Sequence, residues 1–259
     1  MMALRLVVFA LSCAFASSLN QTEHYRRGEA IVLNIHVTHH AGTTFCAWSK
    51  LNGPVPKAAG CNAPNEPTSK NTNFSKYRER FHMIAWEYNN APKPPLSTVN
   101  WEDPRVVSVF IGRDPIDRLL AGDGTVNGLY GGPNTVANRS AATWDKFLAS
   151  PFTDSYALKI LANGDVSAAG LERATCLASR FTFLLDAACL DANLLAMSQI
   201  LGWHAPSRND HVGTHNHHYL PARKRIANDT IWKRLVERNV HDIAFYSWLK
   251  NRSLVRCAA

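Results

Sequence analysis

The stretch His36 to Phe45, HVTHHAGTTF, gathers two adjacent histidines, an Ala-Gly pair and two threonines. Small residues let a backbone approach a ligand closely, hydroxyls donate hydrogen bonds, and imidazoles titrate near neutrality, so the set suits an anion. A plain strand-to-helix turn with a threonine cap would use the same residues. A second candidate is Arg113 in FIGRDPIDRLL, whose guanidinium fork can grip a phosphate or pair with Asp114 or Asp117. For proton transfer the candidates are His82 and Glu87 in RFHMIAWEY. The histidines of HVGTHNHHY, His211 to Tyr219, have spacings that metal sites also use. No cysteine or acidic cluster beyond Asp210 accompanies them, so they read as a solvated loop and no metal is expected.

Positioning these residues requires strands that end where helices begin. EAIVLNIHV is a nearly continuous β-branched run, the mark of a buried strand, and TTFCAWSKLN after it suits a helix. RVVSVFIG (Arg105 to Gly112) is the clearest strand, and Asp114-Pro115 opens a helix behind it. FHMIAWEY (Phe81 to Tyr88) and FTFLLD (Phe181 to Asp186) complete the expected strands. Helices are expected over Thr143 to Ala149, Ser155 to Ala162, Ala168 to Ser179, the segment LDANLLAMSQILGW, Ala222 to Arg238 and His241 to Lys250. Gly53 to Asn71, Gly122 to Gly132 and His204 to Tyr219 read as loops. Strands alternating with helices, and no linker, predict one α/β domain with a mainly parallel sheet. In such sheets ligands bind beyond the carboxyl ends of the strands, where HHAGTT and Arg113 both fall. A helix N-terminus there supplies amide donors and the positive end of a dipole.

The 259 residues, 46% hydrophobic and 19% charged, suffice for a substantial core and argue against a disordered chain. The net charge of +8, spread along the chain, favours an anionic partner without naming it. MMALRLVVFALSCAFASSLNQTEHYRR combines an early cation, an apolar run and small residues, the pattern of a secretory leader. Residues 1–22 are assigned to a signal peptide or signal anchor and 23–259 to a single domain; the run is shorter than the roughly 18 to 20 apolar residues of a comfortable span, which favours cleavage. Sequons at Asn20, Asn73, Asn138, Asn228 and Asn251 agree with lumenal entry. Outside the leader stand Cys46, Cys61, Cys176, Cys189 and Cys257. Connectivity cannot be deduced from sequence; Cys46 with Cys61 and Cys176 with Cys189 are the locally closest pairs.

Two segments together resemble a family. HVTHHAGTTF is similar to the 5′-phosphosulfate loop of Golgi carbohydrate sulfotransferases, His-Ile/Val-Pro-Lys-Thr-Gly-Gly-Thr-Ser/Thr-Phe, and FIGRDPIDRLLAG resembles their 3′-phosphate motif. LERATCLASRFTFLLDAACLDANLLAMSQILGW and NVHDIAFYSWLKN are similar to later family segments, in the same order. The resemblance implies a nucleotide-kinase-like (P-loop NTPase-like) sandwich around a parallel sheet. It implies transfer of a sulfuryl group from 3′-phosphoadenosine 5′-phosphosulfate (PAPS) to a glycan hydroxyl or amine in the Golgi lumen, with no metal and no nucleic acid partner. By position, Ala41, Gly42, Thr43, Thr44 and Phe45 would hold the 5′-phosphosulfate and Arg113 the 3′-phosphate.

The chain departs from the family at two points. His39 aligns with the catalytic lysine, with His40 beside it, so either imidazolium would stabilise the leaving phosphate. A neighbouring phosphate favours the protonated form by raising its pKa above about 6.5. The motif serine aligns with Ala121, its contact replaceable by Thr125 or Arg139. The base is His82, with Glu87 as the alternative. The rival readings are a catalytically impaired PAPS- or glycan-binding protein on the same fold, and a nucleotide-using kinase, against which stands the missing Gly-x-x-x-x-Gly-Lys-Ser/Thr motif.

Overall fold

In the computed structural model, residues 18–67, 74–120, 141–150, 153–206, 222–226 and 228–257 are described. Residues 1–17 of the expected leader, Asn73, the glycine-rich segment expected as a loop with Ala121, Thr125 and Arg139, Asn138, and the histidine-rich segment from residue 207 lie outside them. Four strands, β1 (Ile31–Val37), β2 (Met83–Tyr88), β3 (Val106–Gly112) and β4 (Phe183–Asp186), form one sheet in the order β2-β1-β3-β4. Every pairing is parallel. The expected α/β class with a parallel sheet flanked by helices is therefore what the chain adopts. Parallel strands covered on both faces cannot alternate polar and apolar residues, which is why β1 and β3 read as unbroken apolar runs.

The two faces collect different helices. Ile31, Leu33, Ile35 and Val37 of β1, with Val106 and Phe110 of β3, pack against α6 (Tyr156–Leu161), α7 (Ala168–Ala178) and α11 (Val240–Lys250). Val32, Val107, Val109 and Ile111 face the other way, toward α2 (Gly42–Lys50) and α8 (Leu190–Leu201). A short helix, α3 (Phe74–Arg78), precedes β2, and a third apolar cluster joins α4 (Pro115–Leu119) to α5 (Ala141–Ala149), α9 (Ala222–Arg225) and α10 (Asp229–Arg238). The single helix expected from Ala222 to Arg238 is thus two. Asn228 restarts the chain as an N-cap, its side chain accepting from the Ile231 amide, a role short polar residues prefer over helix interiors.

Helix α1 (Ser18–Arg26) overlaps the segment assigned from sequence to the leader. Gln21 and Thr22 are buried, and Gln21 Nε2 donates to the Trp101 carbonyl at 2.6 Å, so this helix packs as part of the domain. No helix among the described residues is long and apolar enough to cross a membrane.

Cys46 and Cys61 form a disulfide, the locally closest pair. Cys189 pairs with Cys257 rather than with Cys176, which corrects the second local pairing. The reason is topological: Cys176 lies on α7 ahead of β4 and Cys189 beyond its carboxyl end. A four-residue strand at about 3.3 Å per residue holds them too far apart for the 4.4–6.8 Å Cα spacing of roughly every disulfide.

Candidate functional site

The loop from Thr38 to Ala41 leaves β1 at the carboxyl edge of the sheet and turns at once into α2. The turn is made by two residues in the left-handed region, His39 (φ 67°) and Ala41 (φ 60°). Each costs about 1 kcal/mol without glycine, strain of a kind that collects at ligand clamps. Ala41 caps α2 without any side-chain hydrogen bond, and the first turn of the helix holds no acidic residue. The leading amides at Gly42, Thr43 and Thr44 therefore face the site as donors at the positive end of the helix. Thr43 is exposed and Thr44 half-buried. Phe45 is fully buried in the core under α2 and its amide bonds to the Ala41 carbonyl, so it anchors the helix.

Gly42 is required by a close approach. A Cβ there would lie 2.2 Å from the His36 ring, which packs from the end of β1 against the helix start. Burial draws the His36 imidazole down to a pKa of about 4, so it is a neutral wedge.

His40 differs sharply from His39. Its ring is 2% exposed, and Nδ1 lies 2.7 Å from the Ile111 carbonyl, which makes Nδ1 the protonated nitrogen. Burial, reinforced by the nearby Arg118 and Arg113, pushes its pKa well below the ordinary histidine value. His40 is a neutral support beneath the loop. His39 is the half-buried one, and its carbonyl accepts from Arg113 Nη1 at 3.0 Å. Arg113, just past the end of β3, is thereby tied to the β1–α2 loop.

His82 is not brought to this edge. It precedes β2, beside the start of β1, at the opposite edge of the sheet. Its Nδ1 receives the Tyr25 hydroxyl at 2.8 Å, its Nε2 donates to the Ser49 carbonyl at 3.0 Å, and its ring meets Trp203 edge-on. Trp203 in turn donates to the Tyr25 hydroxyl, whose pKa burial lifts to about 12. The network pins α1 to the sheet. Glu87, by contrast, lies near the carboxyl end of β2 in register with His36. Neighbours in register share a sheet face, so Glu87 lies on the α2 side, half-buried, beside the loop.

Three charged groups at this edge were not singled out from the sequence. Arg118 on α4 is 3% exposed with its guanidinium 4.2 Å from the Tyr156 ring, and burial lowers its pKa to about 10, leaving it charged. Asp242 is buried, accepts from the Ala157 and Leu158 amides at 2.9 and 3.0 Å, and burial raises its pKa to about 6. Asp186 ends β4 opposite Gly112 and accepts from the Tyr246 hydroxyl at 2.8 Å. Arg118 and Asp242 had one sequence signal, a charge on an otherwise apolar helix face. Asp186 lies within reach of Cys189 and Cys257, a grouping that could suggest a metal, but both sulfurs are consumed in their disulfide.

The arrangement can hold an anion: unshielded amides at a helix start, two hydroxyls, an arginine just past the adjacent strand end, and one half-buried imidazole. The chain matches no protein-family model, no curated protein and no solved structure.

Proposed function

We propose that the protein is a PAPS-dependent sulfotransferase of the secretory lumen, acting on a hydroxyl or amine of a carbohydrate. The observation that carries this reading is the tie between Arg113 and the β1–α2 loop, at the carboxyl ends of adjacent strands. In this reading the amides and hydroxyls of Ala41 to Thr44 bind the 5′-phosphosulfate, and the Arg113 guanidinium binds the 3′-phosphate. His39 carries the positive charge that stabilises the leaving phosphate, since His40 is held neutral. Glu87 takes the acceptor proton, because His82 lies at the far edge of the sheet. The fold reading that accompanies this is nucleotide-kinase-like.

Two disulfides suit an oxidising, secretory-type compartment. A Golgi address and an anchor in the N-terminal segment belong to the proposal, as does an acidic glycan drawn by the net charge of +8. The test is transfer of radiolabelled sulfate from PAPS to a glycan panel, with Arg113→Ala as the control. Transfer that depends on Arg113 supports the reading, and no transfer by a folded chain that still binds the nucleotide supports the second one. That second reading, a binding protein without turnover, is favoured by the imidazole at position 39 where the resembling family has a lysine.

A further inference from the structure

Behind Arg113 lies a small cavity of about 10 Å³, lined by His40, Arg118, Asp242 and Tyr246 together with Gly112 and Phe245. It separates three elements: the β1–α2 loop, α4 and α11. His40 Nδ1–H is committed to the Ile111 carbonyl, so Nε2 presents a bare acceptor lone pair. That atom is buried and has no hydrogen-bond partner among the described residues. An acceptor left so costs about 1–3 kcal/mol. Asp242 on the same wall uses one lone pair of each oxygen on an α6 amide, which leaves each oxygen room for a second donor. His40 and Asp242 both line the cavity, a pair of acceptor side chains that suits a ligand with two hydrogens, and a volume of about 10–15 Å³ is what a single water needs.

We propose that this cavity binds one water molecule, which donates to His40 Nε2 and to the Asp242 carboxylate, and that through it Asp242 is a positioning residue for the β1–α2 loop. The bridge accounts for a costly arrangement: His40 stands between two strained residues, His39 and Ala41, and engaging its second nitrogen satisfies an otherwise bare buried acceptor. It also links the loop to Asp242, which fixes the start of α6 and sits on the closing helix. The water site stands by itself, while the positioning role rests on the anion-binding reading of the loop.

The experiment uses the full chain with ¹⁵N-labelled histidine. The expected result is a His40 ring protonated on Nδ1 with a water cross-peak to its ring protons. A ring protonated on Nε2, or no water cross-peak, overturns the site. Asp242→Asn should move the Nε2 resonance and weaken binding of 3′-phosphoadenosine 5′-phosphate about five-fold, one bridged hydrogen bond. A folded variant with unchanged resonance and affinity overturns the positioning role. Asp242→Glu, whose extra methylene fills the cavity, should lose the cross-peak, and its retention counts against the site. If the unsubstituted chain binds no such nucleotide, the functional reading and the positioning role fall together, and the cross-peak still decides the water.

Discussion

Arg113 Nη1 donates to the carbonyl oxygen of His39 at 3.0 Å, so the side chain that follows β3 is bonded to the loop that follows β1. One guanidinium thereby braces a strained backbone and, in the proposed reading, holds the 3′-phosphate. Arg113→Ala removes both functions. A charge-assisted hydrogen bond contributes about 1.5–3 kcal/mol, so nucleotide affinity should fall roughly ten- to hundred-fold by calorimetry. Arg113→Lys, lacking the fork, should recover only part of it.

Gly42 lies under the His36 ring, with no room for a methyl group. Gly42→Ala should destabilise the fold by about 1–3 kcal/mol, read as a lowered denaturant midpoint. The pair Gly42→Ala with His36→Ala should be more stable than the sum of the single effects, because the second change clears the space the first one needs.

The loop, its helix and the two central strands were legible because β-branched runs followed by small residues have few alternatives. What was not legible is which histidine reaches the site. His39 and His40 are adjacent and alike in sequence, and only the left-handed turn at His39 sends one ring under the strands and leaves the other half-buried. His82 shows a different failure. In an all-parallel sheet the residue ahead of a strand sits at the amino edge, away from the ligand side, so its place followed from the fold already expected. The second disulfide could not be read from spacing, since its loop spans 68 residues and closes through the C-terminal segment.

Stability should depend on pH in a defined way. His36, held at about pKa 4 against an ordinary 6.5, is neutral when folded and takes up a proton when unfolded over that interval. Its contribution is present above pH 6.5 and is lost as pH falls toward 4, by roughly 3 kcal/mol in all. His40 acts with the same sign. Asp242, raised to about 6, acts oppositely: it binds its proton more tightly when folded, so its effect favours the fold as pH drops below 6. Denaturant titrations between pH 7.5 and 4.5 should show a net loss toward acid, reduced in His36→Gln. An undiminished loss in that variant would refute the assignment.

Removing the Cys189–Cys257 bridge should cost more than its surface position suggests. It closes a 68-residue loop and holds a segment in which the Leu254 amide donates to Leu184 and the Val255 amide to Asn193. Paired serine substitutions should lower stability by about 2–4 kcal/mol and raise hydrogen exchange at both amides.

If His39 supplies the cation, activity should decline as pH rises past neutrality, and His39→Lys should flatten that profile. A profile that stays the same after the substitution would remove His39 from the chemistry.

The most direct measurement is calorimetric binding of 3′-phosphoadenosine 5′-phosphate beside adenosine 5′-phosphate and ATP, with the unsubstituted chain and Arg113→Ala. The expected result is a preference for the 3′-phosphorylated nucleotide, lost when Arg113 is truncated. Equal affinity for all three, or a preference untouched by Arg113→Ala, would contradict it.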